Sequence, residues 1–417
     1  MHETHLVVQT RAIDPVEDLL AYADPARPLA WLRRGDGIIA VGGETVAQLR
    51  VPRRHGGART SEISEVWRGL AANAAVDDAV RLPGTGLVAF GAFVFDEESD
   101  AESVLVIPRE VVGRHGDTFW HTTIGIAEAA QPPAPSVQAY GPHWAGTLGP
   151  GAQSPQGYQD AVRGGLTRIA EGELSKVVLA RDLTGSIPNG SDLRRLVREL
   201  STGYPDTWTF AVDGLIGASP ETLVTVRGGT VTARVLAGTI GRGADPDADT
   251  AASASLASST KDLDEHQYAV QSVLTVLRPH TRALAASEQP FLLKLPNLFH
   301  LATDVEAELS DGETALDLVG VLHPTAAVAG TPTPAAIAAI RELEPFDRGR
   351  YAGPVGWIDG EGNGEWAIAL RCAQFTGTTG AVSVTAYAGA GIVSGSDPET
   401  ELLETRVKFR PLVDALA

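Results

Sequence analysis

The hydrophobic positions in the first third of the chain fall in short runs, each bounded by glycine, proline or a charged residue. This pattern predicts β-strands at 37–43, 85–95 and 103–112. A stretch rich in proline, glycine and alanine follows at 129–155 and is typical of a linker or a long surface connection. The pattern therefore predicts a β-rich N-terminal part, residues 1–150, followed by a second part, residues 151–417, which we expect to complete the same fold.

Beyond the proline-rich stretch, helical and strand patterns are mixed. Because they do not alternate strictly, the fold class expected is α+β rather than a doubly wound parallel sheet. The sequences GTGLVAFG and GAGIVSG lack the full G-x-G-x-x-G spacing at the start of a helix, so dinucleotide binding is not predicted. The elements predicted are a helix over 158–169, strands over 176–181 and 208–212, a hairpin over 221–238 that turns at Gly228-Gly229, a long helix over 261–280, two strands around a glycine-rich turn over 351–375 and a strand over 382–393.

Composition narrows the class of protein. The chain has 417 residues, 43% of them hydrophobic, and a formal net charge of −19. Such an acidic chain is expected to bind neither nucleic acid nor an anionic membrane, and an anionic substrate would need local cations. Cys372 is the only cysteine, which excludes an intrachain disulfide and favours the cytoplasm. The N-terminus lacks a signal peptide pattern, and prolines interrupt the uncharged run at 318–340, so no membrane helix is expected.

The C-terminal sequence GSDPETELLETRVKF predicts a helix with an unusual charged face. Asp397 is suited to cap its N-terminus, and Pro398 is suited to its first turn. Glu401, Glu404 and Lys408 are spaced so that all three lie on one side of this helix. A solvated face with an ordinary Glu–Lys pair would explain the same pattern.

A second acidic pair occurs in the long predicted helix, in the sequence KDLDEH. Ser259 or Thr260 is suited to cap this helix, and Asp262 and Glu265 share one of its faces. If the two helices face each other, four carboxylates converge and repel one another. A divalent cation would relieve the repulsion, and Mg²⁺ is the ion that an all-oxygen ligand set favours.

Eight motifs in the second part resemble the chorismate-utilising enzymes, the group of isochorismate, salicylate, anthranilate and aminodeoxychorismate synthases. The resemblance runs from about residue 156 to the C-terminus, and is loose before that, chiefly in AFGAFVFD. It implies a large α+β fold with two stacked sheets between helices and the site in the cleft between them. The motifs are SKVVLARDL, IGASPETLV, LAGTIGRG, STKDLDEHQYAV, LKLPNLFHLATDVEAEL, LHPTAAVAGTP, ELEPFDRGRYAGPVGWIDGEGNGEWAIALRCAQ and AGAGIVSGSDPETELLETRVKF.

The resemblance also implies roles for the two acidic pairs. Glu265 and Glu404 match the direct Mg²⁺ ligands of the family, and Asp262 and Glu401 match positions that act through water. Lys408 would reach a carboxylate of the substrate beside the metal.

Within the family, EPFDR, GWIDGEGNGEW and IALRCAQ resemble isochorismate synthases. That activity adds water at C2 of chorismate and expels the C4 hydroxyl, which requires a base and an acid. By resemblance Lys176 is the base and Glu221 is the acid, although either residue alone would otherwise be read as an ordinary strand-end or surface side chain. Deprotonating a free lysine at pH 7 costs about 4–5 kcal/mol, and keeping a glutamate protonated costs about 3–4 kcal/mol. The site is therefore expected to lower the pKa of Lys176 and raise that of Glu221.

The remaining positions match residues that bind the substrate in the family. Arg371 and Tyr351 would hold the enolpyruvyl carboxylate together with backbone N–H groups at Gly389 and Gly391. The role of His300 is open between a core histidine and a residue of the site. Gly238 and Thr239 match positions that line the pocket.

Four other functions are compatible with parts of the pattern. Salicylate synthase, which would go on to eliminate pyruvate, is the runner-up, although Ala327 replaces the threonine usual in lyase members. Anthranilate synthase component I usually has glutamine in place of Lys176, and aminodeoxychorismate synthase has a lysine that AGTIGRG lacks. A non-catalytic chorismate or metal binder would not need Lys176 and Glu221. We expect a monomer without a glutamine amidotransferase subunit, and the pattern does not separate menaquinone from siderophore synthesis.

Overall fold

The computed structural model describes residues 5–53, 58–126, 135–243, 245–294, 298–377 and 381–417, and the side chains of Thr239, Lys261, Glu265 and Leu298 lie outside the description. Within these residues the chain forms 23 β-strands, eight α-helices and two 3₁₀ turns. None of the described helices combines the length and the apolar character needed to cross a membrane.

The strands are spread over the whole chain. They are β1 Leu6–Ile13, β2 Ala30–Arg33, β3 Asp36–Ala40, β4 Thr45–Val51, β5 Ala75–Asp78, β6 Val88–Ala92, β7 Ser103–Pro108, β8 Glu110–His115, β9 Thr118–Ile126, β10 Thr147–Pro150, β11 Lys176–Ile187, β12 Trp208–Val212, β13 Leu215–Ser219, β14 Thr222–Arg227, β15 Thr230–Gly241, β16 Thr281–Ala286, β17 Phe291–Lys294, β18 Leu298–Leu309, β19 Gly330–Thr331, β20 Pro354–Asp359, β21 Gly364–Ile368, β22 Cys372–Thr376 and β23 Val382–Ile392.

The helices lie mainly in the second part of the chain. The 3₁₀ turns are Leu19–Tyr22 and Arg278–His280. The α-helices are α1 Arg59–Ala72, α2 Pro155–Ala170, α3 Arg194–Gly203, α4 Pro246–Ser258, α5 Thr260–Leu277, α6 Ala315–Leu322, α7 Thr333–Leu343 and α8 Pro398–Leu416.

Two sheets account for all the described strands. The larger has the order β10-β11-β23-β22-β13-β12-β2-β3-β8-β9-β1-β5, with β19 beside β11. The smaller has the order β16-β18-β15-β14-β21-β20-β6-β7-β4, with β17 beside β18. Each sheet therefore combines strands from both parts of the chain, joined where β12 pairs with β2 and where β20 pairs with β6.

The two sheets meet through a buried core that includes a polar contact. Trp31 of the larger sheet donates its indole N–H to the Glu365 carboxylate of the smaller sheet at 2.8 Å. Trp357 donates to the same carboxylate at 3.3 Å, and Trp31 stacks on Trp208 with ring centroids 5.1 Å apart. Because a buried carboxylate is stable only with hydrogen-bond partners, these indoles fix how the sheets pack here.

The predicted fold class is confirmed, since the chain is α+β with two large sheets flanked by helices. The two predicted caps are also confirmed: Ser259 accepts the N–H of Asp262 at 3.3 Å, and Asp397 accepts the N–H of Thr400 at 2.9 Å. The hairpin at Gly228-Gly229 forms between β14 and β15.

Three sequence predictions need correction. The run at 103–112 contains two strands, β7 and β8, because Pro108 lacks the N–H that a continuous ladder needs. The stretch 351–375 contains three strands rather than two. In the predicted linker, residues 127–134 lie outside the description and residues 147–150 form strand β10, which pairs with β11.

Candidate active site

Lys176 is the first residue of β11, and its position is set by the strands on either side. Its backbone is paired with Thr331 of β19, and Val178, two residues further along β11, is paired with Gly391 of β23. The Lys176 side chain lies across Gly391: a Cβ atom added there would be 3.0 Å from Cε and 3.8 Å from Nζ. Glycine at 391 therefore makes room for this lysine.

Glu221 occupies the corner between β13 and β14, and the smaller sheet anchors that corner. The Ser219 hydroxyl accepts the N–H of Glu221 at 3.2 Å and donates to the carbonyl of Ile368 at 2.6 Å. The N–H of Ile368 donates in turn to the carbonyl of Glu221 at 3.0 Å. These bonds hold the Glu221 backbone at the end of β21, next to Arg371.

The Glu221 carboxyl is in an environment that favours its protonated form. Burial raises its pKa above the usual value, and the positive charges of Lys176, Arg371 and Lys408 act in the opposite direction. The direction of the shift agrees with the expectation for a general acid. All three charges are near enough to act on the Glu221 carboxyl. The ends of β11 and β21–β22 and a side chain of α8 therefore lie close to the β13–β14 corner.

Arg371 lies between β21 and β22 in a strained backbone conformation, with φ of +49°. Its carbonyl accepts the N–H of Ala218 at 3.2 Å, so the turn is tied to the strand that precedes Glu221. Burial lowers the pKa of the guanidinium, and Tyr351, Glu221 and Glu404 act to raise it. The residue remains a cation because the ordinary pKa of arginine is far above neutrality.

Tyr351, Gly389 and Gly391 form the side of the cleft beside Lys176. The Tyr351 ring stacks on Tyr387 at 5.0 Å, and its hydroxyl would be 3.2 Å from a Cβ atom at Gly389. Burial raises the pKa of Tyr351, so its hydroxyl is a neutral donor. The N–H of Val178 donates to the carbonyl of Ala329 and that of Ala180 to the Glu344 carboxylate, so neither is bonded to β23. Val178 faces Gly391 and Ala180 faces Gly389 across the antiparallel pair. Because facing residues that are not bonded to each other both direct their N–H groups outward, the N–H groups of Gly389 and Gly391 point away from β11.

Lys408 of α8 contacts the side of the cleft that Tyr351, Gly389 and Gly391 form. Its ammonium donates to the carbonyl of Gly389 at 2.7 Å and lies 2.5 Å from the Glu404 carboxylate. Burial lowers its pKa, and the charge of Glu404 raises it. The helix spacing predicted the Glu404–Lys408 neighbours, but not that the ammonium also bonds to the glycine strand.

Gly238 and His300 form the opposite side of the site, at a bulge in the pairing of β15 with β18. Gly238 has φ of +75°, and a Cβ atom there would lie 3.4 Å from Cβ of Asp262. His300 bonds to the backbone of Gly238, and burial lowers its pKa. The charges of Lys176, Lys408 and Glu404 act on His300, which therefore faces the site. The side chain of Thr239 lies outside the described residues.

The carboxylates of the predicted metal site are partly brought together. Burial raises the pKa of Glu401, and the charge of Glu404 raises it further, against a hydrogen bond with Ser396. Asp262 lies beside Gly238, and the Glu265 side chain lies outside the described residues. Among the side chains described, no group of three or more His, Cys, Asp or Glu is arranged to hold a metal.

The donor chemistry of this region nevertheless fits Mg²⁺. Its acidic side chains offer only carboxylate oxygens, which this ion prefers. Burial is the main cause of the raised pKa of Glu401, and the charge of Glu404 adds to it while that of Lys408 opposes it. A divalent cation beside these carboxylates would favour their ionised forms.

Sequence reasoning missed two residues that position the site. His266 is buried, with one ring nitrogen 3.1 Å from the carbonyl of Ala237 and the other 2.7 Å from the Thr303 hydroxyl, so it supports the bulge at Gly238. Glu344 accepts the N–H of Ala180 at 2.7 Å and pairs with Arg348 at 2.5 Å.

The signals for these two residues differ in strength. Glu344 and Arg348 are four residues apart in EPFDR, which is a spacing at which opposite charges can pair. Nothing in the sequence around His266 shows that its ring would be buried rather than directed to a ligand.

Comparison with known proteins gives a consistent result. A family model described as chorismate binding enzyme matches residues 2–417. The isochorismate synthase DhbC of Bacillus subtilis (strain 168) is 44% identical over 274 residues, which are 63% of this chain and 68% of that protein. The salicylate biosynthesis isochorismate synthase of Pseudomonas aeruginosa is 33% identical over 395 residues, 87% of this chain and 80% of that protein.

A solved structure agrees over almost the whole chain. It is that of MenF, the menaquinone-specific isochorismate synthase from Escherichia coli, with a TM-score of 0.76. The match covers 99% of this chain and 95% of that one, at 24% identity, and shows a common fold.

Proposed function

The chain belongs to the chorismate binding enzymes, and on that premise we propose that it is an isochorismate synthase, which converts chorismate to isochorismate. The two relatives described above bear the name of that activity. The observation that carries the proposal is the convergence of three cations, Lys176, Arg371 and Lys408, on the Glu221 carboxyl, whose pKa burial raises. A lysine and a carboxyl whose raised pKa favours the protonated form are suited to be the base and the acid that the reaction needs.

Lys176 and Glu221 divide the proton transfers. The neutral amine of Lys176 takes a proton from water as the water oxygen bonds to C2 of the ring. Glu221 gives its proton to the C4 hydroxyl as the C4–O bond breaks, and the ring double bonds shift between these positions. One water molecule is added at C2 and one is released from C4. Lys176 has then gained a proton and Glu221 has lost one, and proton exchange with solvent returns both side chains to their starting states.

The remaining residues hold the two carboxylates of the substrate. Arg371 and the hydroxyl of Tyr351 bind the enolpyruvyl carboxylate, with the N–H groups of Gly389 and Gly391 beside them. Lys408 binds the ring carboxylate. These positive and hydrogen-bonding groups offset, at the site, the −19 net charge of the chain.

Magnesium is proposed to bind beside Lys408. Glu404 and Glu265 would hold it directly, and Asp262 and Glu401 would hold it through water. When bound, the ion supplies positive charge to the ring carboxylate. Lys408 is then shared between that carboxylate and the Gly389 carbonyl, which it already contacts.

The proposal is tested by incubating the protein with chorismate and Mg²⁺ and separating the products by chromatography. Isochorismate alone is the expected product. Salicylate with pyruvate would indicate the runner-up, salicylate synthase, and unchanged chorismate would indicate a non-catalytic binder. Removing Mg²⁺ with EDTA is expected to abolish turnover, and restoring it to recover turnover.

Lys176→Ala separates catalysis from binding in the same assay. It is expected to lower kcat by about 10²-fold or more, the usual worth of a general base, while chorismate binding measured by calorimetry stays within a few-fold. Lys294→Ala is the matched control, because Lys294 is an exposed lysine paired with Asp249 at 3.3 Å. Equal kcat values in the two variants would remove Lys176 from the mechanism.

A further inference from the structure

A second cavity lies apart from the residues proposed for catalysis. Its volume is about 590 Å³, within the range of small-molecule sites. It is bounded by Arg50 of β4, by the β12–β13 turn, by residues 347–351 and by the ends of β22 and β23. Of the residues proposed for the active site, Tyr351 alone is among its described lining residues.

One side of this cavity carries three arginine side chains, Arg27, Arg50 and Arg350. The turn residue Asp213, with φ of +47°, presents its carboxylate to Arg50 at 2.8 Å, to Arg350 at 3.0 Å and to Arg27 at 3.5 Å. Glu102 lies 3.4 Å from Arg50 and brings a second negative charge. Three guanidinium groups thus surround the Asp213 carboxylate, whose two oxygens cannot satisfy all of their N–H donors.

Arg27 is the member of this cluster that is best placed to meet a ligand. Its side chain is 62% exposed, and its bond to Asp213 is at the limit of hydrogen-bond length. Within the described residues its guanidinium has no other hydrogen bond. Asp347, the other acid on the wall, already accepts the Ser99 hydroxyl at 2.8 Å and the N–H of Asp100 at 2.9 Å.

The other side of the cavity is aromatic and apolar. Tyr387 and Tyr351 stack nearly parallel, with an interplanar angle of 15°, and Leu215 and Phe375 continue the wall. The Gln374 amide bonds to the carbonyl of Asp213 at 3.1 Å and so joins the two sides. A flat ring would pack against this wall while an attached carboxylate met the arginines.

We propose that this cavity is a second binding site for a small carboxylate that bears a planar ring. The site is separated from the catalytic cleft by the Tyr351–Tyr387 pair, because the Tyr351 hydroxyl lies beside Gly389, whose carbonyl accepts Lys408 at 2.7 Å. A ligand here would contact the same tyrosine pair from the side away from Lys408.

Calorimetric titration with benzoate tests the site in the full-length protein without any turnover. Arg27→Gln is expected to weaken benzoate binding about tenfold, the usual effect of losing one charge-assisted hydrogen bond, and Arg27→Glu is expected to weaken it further. Arg163→Gln is the matched control, because Arg163 is a comparably exposed arginine paired with Asp160 at 2.6 Å. Equal benzoate affinity in the wild type and both Arg27 variants would overturn the proposal.

Two further titrations fix the location and the ligand class. Lys408→Met is expected to leave benzoate binding unchanged, and a loss of binding in that variant would place benzoate in the catalytic cleft and overturn the proposal. Acetate and inorganic phosphate are expected to bind at least tenfold more weakly than benzoate. If either matched benzoate, the proposed recognition of a ring would be wrong. None of these results depends on turnover, so their failure would leave the proposed function standing.

Discussion

The Lys176 side chain packs against Gly391, so adding one methyl group at position 391 is expected to disturb the lysine. A Cβ atom at 391 would lie 3.0 Å from Lys176 Cε, closer than an ordinary van der Waals contact. Gly391→Ala is therefore expected to displace the amine and lower kcat about 10–100-fold, measured by the rate of isochorismate formation.

Gly395→Ala is the control for that change. A Cβ atom at Gly395 meets nothing within 4 Å, and Gly395 also lies between β23 and α8. Its kcat is expected to match the wild type. If Gly391→Ala kept the wild-type kcat as well, the position of Lys176 in the structure would not be the one used in catalysis.

Glu221 gives a prediction about protonation. Because burial raises its pKa, the carboxyl stays protonated to a higher pH than an ordinary glutamate and loses its proton as the pH rises through the raised value. Infrared difference spectra of the free protein during a pH titration are expected to show a protonated carboxyl that disappears above the usual range. Glu221→Gln is expected to lose one component of that signal, and Glu199→Gln, which changes an exposed glutamate on α3, is expected to keep it. Asp359, whose pKa burial raises to about 7, contributes a component that both variants retain. An undiminished signal in Glu221→Gln would show that Glu221 is not protonated above its usual range.

At the scale of elements, the Glu344–Arg348 pair connects β11 to the loops around it. Arg348 donates to the carbonyls of Val178 and Val328 at 2.8 and 3.0 Å, and Glu344 accepts the N–H of Ala180. Both charged side chains are buried. The pair therefore fixes the strand that begins with Lys176, although neither residue is proposed to touch the substrate.

Glu344→Ala is expected to lower the free energy of unfolding by about 3–5 kcal/mol, because it leaves the Arg348 charge buried without its partner. Urea denaturation followed by circular dichroism measures the change. Glu342→Ala is the matched control: Glu342 is 63% exposed and pairs with Arg168 at the surface, so its loss is expected to cost less than about 1 kcal/mol. Similar losses of unfolding free energy in the two variants would show that the buried pair contributes no more to stability than the surface pair.

The elements that could be predicted from the sequence are those whose signal is local. The caps at Ser259 and Asp397 and the turn at Gly228-Gly229 depend on a few adjacent residues, and all three form as expected. Asp213-Gly214 is also a strong hairpin signal, with φ above zero at both residues, and it joins β12 to β13. The pairing of β12 with β2 depends on residues far apart in the chain, and no local signal specifies it.

The site was predictable to a similar extent. Helix spacing placed Glu401, Glu404 and Lys408 on one face, whereas the contact between Lys408 and Gly389 depends on how α8 packs on β23. The resemblance to a family selected Lys176 and Glu221, which have no distinguishing local pattern. Their proximity arises only when β11 and the β13–β14 corner are brought together by the two sheets.

At the scale of the whole molecule, the two sheets make the N-terminal and C-terminal parts of the chain dependent on each other. The larger sheet passes from β12 to β2, and the smaller from β20 to β6, so each crosses between the parts by an antiparallel ladder. The indole of Trp31 also bonds to Glu365 across the two sheets. Residues 1–150 are therefore not expected to unfold separately from residues 151–417.

Two probes in different parts of the chain test this dependence. Four of the seven tryptophans lie within residues 1–150, and the single thiol, Cys372, is buried in the larger sheet. Burial also raises the pKa of that thiol, so it is expected to react with a thiol reagent only on unfolding. Tryptophan fluorescence and thiol reaction are expected to follow one urea transition with the same midpoint. Cys372→Ala controls for reagent side reactions, and two separated midpoints would mean that the parts unfold independently.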